Sequence, residues 1–196
     1  MRVSRTEVTA HRVFRCLLQA MSRPGRLYTL PPPTGAGPWE AVLTLLESLL
    51  DHEVSFAVIG GDGARELPSL VASRTRCRAA DIGEADWVIV PHGDAEGRIL
   101  QAKRGTPQYP DRSATIVFRV PTLLGGESRR PAIALTGPGI RGEIRLGPIE
   151  GLGPREAGHL REINREFPLG VDAVFIDDAG RILCIPRSTQ IRIVED

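Results

Sequence analysis

The chain has 196 residues, of which 41% are hydrophobic and 25% are charged, as is typical of a folded globular protein. This length corresponds to one domain and allows a core that needs no metal or disulfide. With 25 basic and 24 acidic residues the formal net charge is +1, so the chain lacks the basic excess of proteins that bind the nucleic-acid backbone. We therefore exclude disordered, collagen-like and coiled-coil proteins and expect no nucleic-acid partner.

The sequence also indicates a cellular compartment. It has neither an apolar run long enough to span a membrane nor the apolar core of a secretory signal near its N-terminus. The cysteines, Cys16, Cys77 and Cys184, are far apart, and an odd number without metal-ligand spacing favours reduced thiols. The four histidines are equally scattered, so no metal site is predicted. We expect a cytoplasmic protein without membrane association.

The first quarter of the chain has helical and extended patterns. A capping-box spacing at residues 4–7, followed by apolar residues at helical intervals, predicts a helix that Pro24 and Gly25 end. Residues 26–30 favour a short strand. A second helix from Trp39 to about Leu50 is apolar on more than one side, which indicates burial on more than one side.

The middle of the chain is richer in strands. The apolar runs at 54–59 and Trp87–Val90 are typical of interior strands and favour parallel pairing. Asp94 is predicted to cap a helix that ends near Gly105. Residues 114–120 and Ala132–Thr136 are predicted to form further strands.

The C-terminal third has the clearest signals. Pro154 opens a predicted helix that runs through Phe167. Strands at 171–176 and Arg181–Ile185 flank a turn at 177–180 and predict a hairpin, and Gln190–Val194 favours a last strand. Helices interleaved with such strands predict an α/β fold, a mixed sheet with helices on both faces, in a single domain over residues 1–196.

Common enzyme motifs are incomplete. Residues 60–63 form a glycine-rich turn after a strand, but Glu66 stands where a dinucleotide-binding motif needs its third glycine. The only lysine, Lys103, lies outside any phosphate-binding loop pattern, and no nucleophile elbow is present. His92 and Asp94 could form an acid–base pair at a strand end, but a role as a helix cap is sufficient to explain Asp94, and His92 is a single residue in a polar turn. His159 is predicted to be a surface residue.

One donor cluster does stand out. Arg187, Ser188 and Thr189 follow a predicted strand directly and could bind a phosphoryl group, a phosphonate or a carboxylate of a partner, with Asp172 orienting the arginine. The alternative is a turn whose hydroxyls bond to the local backbone. Both interpretations stay open on the sequence alone.

Four segments together resemble the PhnH family of carbon-phosphorus lyase subunits. They are HRVFRCLLQAMSRPG (11–25), LTGPGI (135–140), FPLGVD (167–172) and IPRST (185–189). The resemblance implies a fold like that of the PLP-dependent transferases without the PLP site. It implies no cofactor and no catalytic residue in this chain; in agreement, Lys103 lies in a charged segment rather than an apolar pocket.

The resemblance also implies a role in an assembly. Members of the family form homodimers alone and join PhnG, PhnI and PhnJ in the complex that makes ribose 1-methylphosphonate 5-triphosphate from ATP and methylphosphonate, before another subunit cleaves the carbon–phosphorus bond. We expect this chain to be an accessory subunit with an interface around Phe167, Pro168 and Leu169. A direct ligand-binding or catalytic role for the Arg187 cluster is the alternative, and a separate nucleotide-binding enzyme or hydrolase is a third.

Overall fold

The computed structural model describes residues 5–33, 35–60, 64–124 and 132–194. Ser4 of the predicted capping box and residues 61–63 of the predicted glycine turn therefore lie outside the described residues. Within these ranges, no helix has both the length and the apolar character that crossing a bilayer requires.

Four α-helices lie in the described ranges: α1 Arg5–Ser22, α2 Glu40–Glu47, α3 Leu67–Thr75 and α4 Glu156–Ile163. The first helix ends where predicted, because Gly25 adopts a φ of 78° that continues no helix. All residues of α2 from Glu40 to Leu46 are buried, which confirms its predicted burial on more than one side.

The described strands are β1 Tyr28–Thr29, β2 Ser55–Val58, β3 Arg78–Ala79, β4 Trp87–Val90, β5 Thr115–Val120, β6 Ala132–Thr136, β7 Ile144–Leu146, β8 Asp172–Asp177, β9 Arg181–Ile185 and β10 Gln190–Val194. Seven of them form one sheet in the order β1-β9-β8-β5-β4-β2-β3. From β3 to β8 neighbouring strands are parallel, whereas β9 is antiparallel to β8 and to β1. The predicted mixed sheet, interior parallel strands and C-terminal hairpin are confirmed.

The main sheet is covered by apolar residues on both faces. On one face, α1, α2 and α3 contribute to a cluster with β-strand residues such as Val117 and Val174. On the other, α4 and a second sheet of order β10-β6-β7 pack over Phe118 and Phe175, whose rings stack with centroids 5.0 Å apart. Helices thus contribute to both faces, and the second sheet is a feature that the sequence did not predict.

The predicted helix from Asp94 to Gly105 is wrong. Only a 3-10 turn, Arg98–Gln101, forms there. Gly93, Glu96 and Gly97 have φ values of 72°, 51° and 79°, which belong to the left-handed region and interrupt an α-helix. Asp94 caps a tight turn instead, since its Oδ1 accepts a hydrogen bond of 2.8 Å from the Glu96 amide.

Helix α3 has a sequence that did not predict a helix. Only three of its residues are buried, so the apolar periodicity that would predict a helix is weak. They are Leu67, Val71 and Thr75. It is joined to α2 by a salt bridge in which Arg74 Nη2 lies 2.7 Å from Glu40 Oε1. A contact with a residue far along the chain therefore supports a helix whose own pattern is poor.

Helix α4 is shorter than predicted, ending at Ile163 rather than Phe167. Asn164 explains the end, because its side chain accepts from the Val171 amide at 2.7 Å and donates to the Val171 carbonyl at 3.0 Å. The chain is thereby folded back, and the Phe167-Pro168 peptide in this turn is cis.

Candidate functional site

The four segments behind the family resemblance lie close together in the fold. At Gly139, with a φ of +81°, a Cβ would lie 2.3 Å from the Ser22 carbonyl oxygen at the end of α1. At Gly137 a Cβ would lie 3.0 Å from the Ser188 carbonyl oxygen. These close approaches require glycine. The turn at 135–140 therefore packs against both the end of α1 and the turn between β9 and β10.

A cleft lies beside that last turn. It has a volume of about 390 Å³ and runs between the end of α4 and the turn that joins β9 to β10. Of the predicted residues, Arg187, Ser188, Thr189 and Phe167 line it. Asp172 lies next to Arg187 at the start of β8. The structure therefore brings the predicted donor cluster and the predicted interface residue Phe167 to one place.

Arg187 is bound to neighbours of its own chain. Its Nη2 lies 2.5 Å from Asp172 Oδ2, and its Nη1 donates to the Pro110 carbonyl at 2.6 Å. Asp172 Oδ1 also accepts from the Arg187 backbone amide at 2.8 Å. The two side chains are only 17% and 24% exposed. The predicted orientation of Arg187 by Asp172 is thus present in the geometry, and it leaves the guanidinium charge compensated.

Of the two hydroxyl residues in the cluster, Thr189 is the buried one. The Thr189 amide donates to the Pro186 carbonyl at 2.9 Å, which forms the turn after β9. Thr189 is only 4% exposed, and its Oγ1 has no hydrogen-bond partner among the described residues. A local hydrogen bond of that hydroxyl to the backbone, the alternative left open by the sequence, is therefore not what the structure contains.

Comparison with known proteins finds matches over nearly the whole chain. The family model described as "Bacterial phosphonate metabolism protein (PhnH)" matches residues 3–192. The chain belongs to the PhnH family. One relative, HtxG of Stutzerimonas stutzeri, is named as a candidate C-P lyase subunit protein; it is 33% identical over 183 residues, covering 92% of this chain and 84% of HtxG. Another, the "Alpha-D-ribose 1-methylphosphonate 5-triphosphate synthase subunit PhnH" of Rhizobium meliloti (strain 1021), is 34% identical over 190 residues, covering 93% and 90% of the two chains.

In this PhnH family member, His92 and Asp94 do not form the acid–base pair considered above. Asp94 accepts from Glu96, and the His92 ring packs edge-on against Trp39 with centroids 6.0 Å apart. Trp39 also contacts Arg119, whose guanidinium carbon lies 4.8 Å from the indole centroid, and its Nε1 donates to Glu66 Oε1 at 2.9 Å. The end of β4 thus carries an aromatic and cationic cluster that sequence patterns did not predict, because its members come from separate segments.

The prediction that His159 is a surface residue is wrong for this PhnH family member. Its side chain is 18% exposed, and its Nδ1 lies 3.4 Å from Oε1 of Glu156, which is fully buried. Burial raises the pKa of the Glu156 carboxyl, against the opposing effects of the Ala95 amide and of His159. The same carboxylate holds the loop after β4, since its Oε1 accepts from the Ala95 amide at 3.3 Å.

The only lysine of this PhnH family member is paired. Lys103 Nζ lies 2.5 Å from Asp86 Oδ1, and Asp86 Oδ2 accepts from both the amide and the hydroxyl of Ser55 on β2. Burial by itself would raise the pKa of Asp86, but the hydrogen bonds from Lys103 and Ser55 outweigh it and lower that pKa. Lys103 therefore joins the segment before β5 to the start of β4 and β2.

Proposed function

We propose that this chain is the PhnH subunit of a carbon-phosphorus lyase core complex. The observation that carries the proposal is the family match over residues 3–192. The name of the Rhizobium relative supports the reaction class. In the proposed reaction, methylphosphonate replaces the adenine of ATP to give ribose 1-methylphosphonate 5-triphosphate, and another subunit later cleaves the carbon–phosphorus bond.

Within that complex, we propose an accessory role for this chain. The support comes from Arg187. Its guanidinium donates hydrogen bonds to the Asp172 carboxylate and the Pro110 carbonyl of the same chain, so it is not free to take part in a reaction. A group already held in this way stabilises the fold and positions neighbouring residues. The alternative, direct binding of a phosphoryl or phosphonate ligand, draws on one feature, the cleft that Arg187, Ser188 and Thr189 line.

We propose that residues 1–196 act as one α/β unit related to the PLP-dependent transferases but without PLP. This unit forms a homodimer when alone, and in the cytoplasm it joins PhnG, PhnI and PhnJ. Phe167 supports an interface at the end of α4, because a side chain of this size that is 62% exposed is a common feature of contact surfaces.

Deleting the gene for this chain is expected to abolish growth of its bacterium on methylphosphonate as the sole phosphorus source. Growth on inorganic phosphate should stay unchanged, because the complex is needed only to release phosphate from the phosphonate. The measurement is the growth yield of the deletion strain with and without a plasmid copy of the gene. Normal growth of the deletion strain on methylphosphonate would contradict the proposed function.

Changing Phe167 to aspartate is expected to reduce co-purification of this chain with a tagged PhnI subunit at least tenfold, because a charge would replace apolar contact area. The control is Tyr109→Asp, which places the same charge on another aromatic residue that is 53% exposed. Equal recovery of the Phe167→Asp variant and wild type would exclude Phe167 from the interface. Thermal unfolding of both variants checks that each is folded.

A further inference from the structure

Helix α1 carries a stripe of side chains that the core does not use. The stripe consists of four exposed residues at positions i, i+3, i+4 and i+7 of the helix, which place them on one side of it: His11, Phe14, Arg15 and Leu18. Phe14 and Leu18 are large apolar side chains, yet they are 46% and 51% exposed. The core side of α1 is formed by other residues, such as Val13 and Leu17. The α1 stripe is therefore an apolar surface without a partner in the described part of the chain.

The same region of the chain concentrates positive charge. Residues 1–30 contain six arginines and a single carboxylate, Glu7, whereas residues 31–196 contain 19 basic and 23 acidic residues. Arg12, Arg15 and Arg26 are exposed, and they form no ion pair with any side chain that the structure describes. The nearly neutral net charge of the whole chain therefore conceals a basic surface around α1.

The combination of these two features is typical of a protein contact surface. Exposed arginines are common on solvated helices, and single exposed apolar residues are also common. Phe14 and Leu18, however, are neighbours one helical turn apart, and of the eight large apolar side chains exposed in the described ranges four lie within residues 8–27. Protein interfaces are enriched in aromatic residues and arginine. The α1 stripe has this composition.

The charge argues against two possible occupants of the α1 stripe. A two-fold dimer would place the stripe against the same stripe of a second copy, so the arginines of the two copies would face each other and oppose association. A homodimer would therefore use another surface. A bilayer also fits poorly, because an interfacial helix inserts a broad apolar face, and the broad apolar face of α1 is already buried in the core through Val13, Leu17 and Ala20.

We propose that the α1 stripe docks on another protein subunit, in an apolar groove that carboxylates border. Phe14 and Leu18 supply the apolar contact that excludes water, and Arg15 pairs with the carboxylates, while Arg12, one turn away, adds to the local charge. The assignment of this partner to the carbon-phosphorus lyase complex rests on the proposed function, whereas the apolar and basic character of the stripe does not.

The α1 stripe is separate from the interface proposed at Phe167. Helix α1 packs on one face of the main sheet, and helix α4, which precedes Phe167, packs on the other. A partner seated on α1 therefore contacts a different side of the molecule from a partner seated at the end of α4. With both surfaces occupied, the chain bridges two subunits, which gives the accessory role a definite form.

Recovery of the complex from cells tests the inference. The full chain is produced together with tagged PhnI, PhnG and PhnJ, and its amount in the tagged fraction is measured after washing at about 50 mM and about 300 mM salt. We expect Phe14→Ala/Leu18→Ala to reduce recovery at least about fivefold at both salt concentrations. Arg12→Glu/Arg15→Glu should reduce it at least about tenfold at the lower salt concentration, because the reversed charges repel the carboxylates of the partner.

The matched controls lie on the opposite face of the main sheet. Leu100→Ala truncates a leucine that is 39% exposed, and Arg98→Glu/Arg155→Glu reverses two exposed arginines. Both controls should be recovered within about twofold of wild type, since neither changes the α1 stripe. Thermal unfolding of every variant shows that each is folded.

Recovery of the α1 variants at the wild-type level, or equal losses in the α1 variants and the controls, overturns the inference. If recovery is unchanged but the α1 variants turn from dimer to monomer, the stripe belongs to a second copy. If recovery is unchanged but they no longer sediment with vesicles of phosphatidylcholine and phosphatidylserine, it belongs to a membrane. Both results also overturn the inference.

The gene deletion separates this inference from the proposed function. If the deletion abolishes growth on methylphosphonate but the α1 variants assemble like wild type, only this inference fails. If the deletion strain grows normally while recovery with the tagged subunits depends on the α1 stripe, only the proposed function fails.

Discussion

Replacing Asp177 with alanine is expected to lower the free energy of unfolding by about 3–5 kcal/mol, the largest stability loss among the substitutions considered. Its carboxylate is fully buried and lies 2.6 Å from Arg181 Nε. The same carboxylate accepts from the backbone amides of Leu123, Ala179 and Arg181. The substitution would leave a guanidinium only 23% exposed without its carboxylate, together with three amides without an acceptor.

Urea unfolding followed by circular dichroism measures this loss. The matched control is Asp178→Ala, which removes the neighbouring carboxylate of the same turn. Asp178 is 50% exposed and pairs at 2.7 Å with Arg119, which is only 15% exposed but also donates to the Pro91 carbonyl. Because the Asp178 carboxylate is not buried and its removal does not leave three amides without an acceptor, its loss should cost about 1 kcal/mol, well below the loss at Asp177. Equal destabilisation by the two variants would contradict the importance assigned to the buried carboxylate.

Replacing Arg187 with alanine is expected to lower the free energy of unfolding by about 2 kcal/mol. The substitution removes hydrogen bonds to the Asp172 carboxylate and the Pro110 carbonyl. Hydrogen bonds to charged groups contribute about 1.5–3 kcal/mol, and partial exposure of the pair reduces that value. Arg187→Lys should recover only part of the loss, because an ammonium cannot reproduce the paired guanidinium geometry.

A double-mutant cycle with Asp172→Ala separates the pair from its surroundings. We expect the two losses to be non-additive by about 1 kcal/mol or more, since each substitution removes the same interaction. The growth assay on methylphosphonate adds a functional measurement. If Arg187→Ala kept full stability and an intact complex but lost growth, the guanidinium would contact a ligand directly, and the positioning role assigned to it would be wrong.

Local patterns were sufficient for most elements of the main sheet. The strands Trp87–Val90 and Arg181–Ile185 were predicted with their observed bounds, because continuous apolar runs between turn residues have few other conformations. The hairpin after β8 was equally clear, since a turn of Asp and Gly residues separates two such runs. Helix α1 was predictable because apolar residues recur at helical intervals and because Pro24 and Gly25 mark the end of the helix.

Elements that depend on distant contacts were not predictable in this way. Helix α3 has few apolar residues and is held by the salt bridge of Arg74 with Glu40. The segment after Asp94 was predicted as a helix, but its glycines and Glu96 take left-handed conformations. The pairing of β10 with β6 joins strands from distant parts of the chain, and no local pattern encodes such a partner.

For the candidate site, too, some features were predictable from the sequence and others depended on the tertiary structure. By itself the sequence identified the family and predicted a donor cluster of Arg187, Ser188 and Thr189, because both depend on the order of residues along the chain. Tertiary structure alone decided that Arg187 also donates to the Pro110 carbonyl, that the Thr189 hydroxyl is left without a partner among the described residues, and that Phe167 lines the same cleft as Arg187. The reason is physical: compensation of charge and satisfaction of hydrogen bonds depend on neighbours in space, and those neighbours come from segments far apart in the sequence.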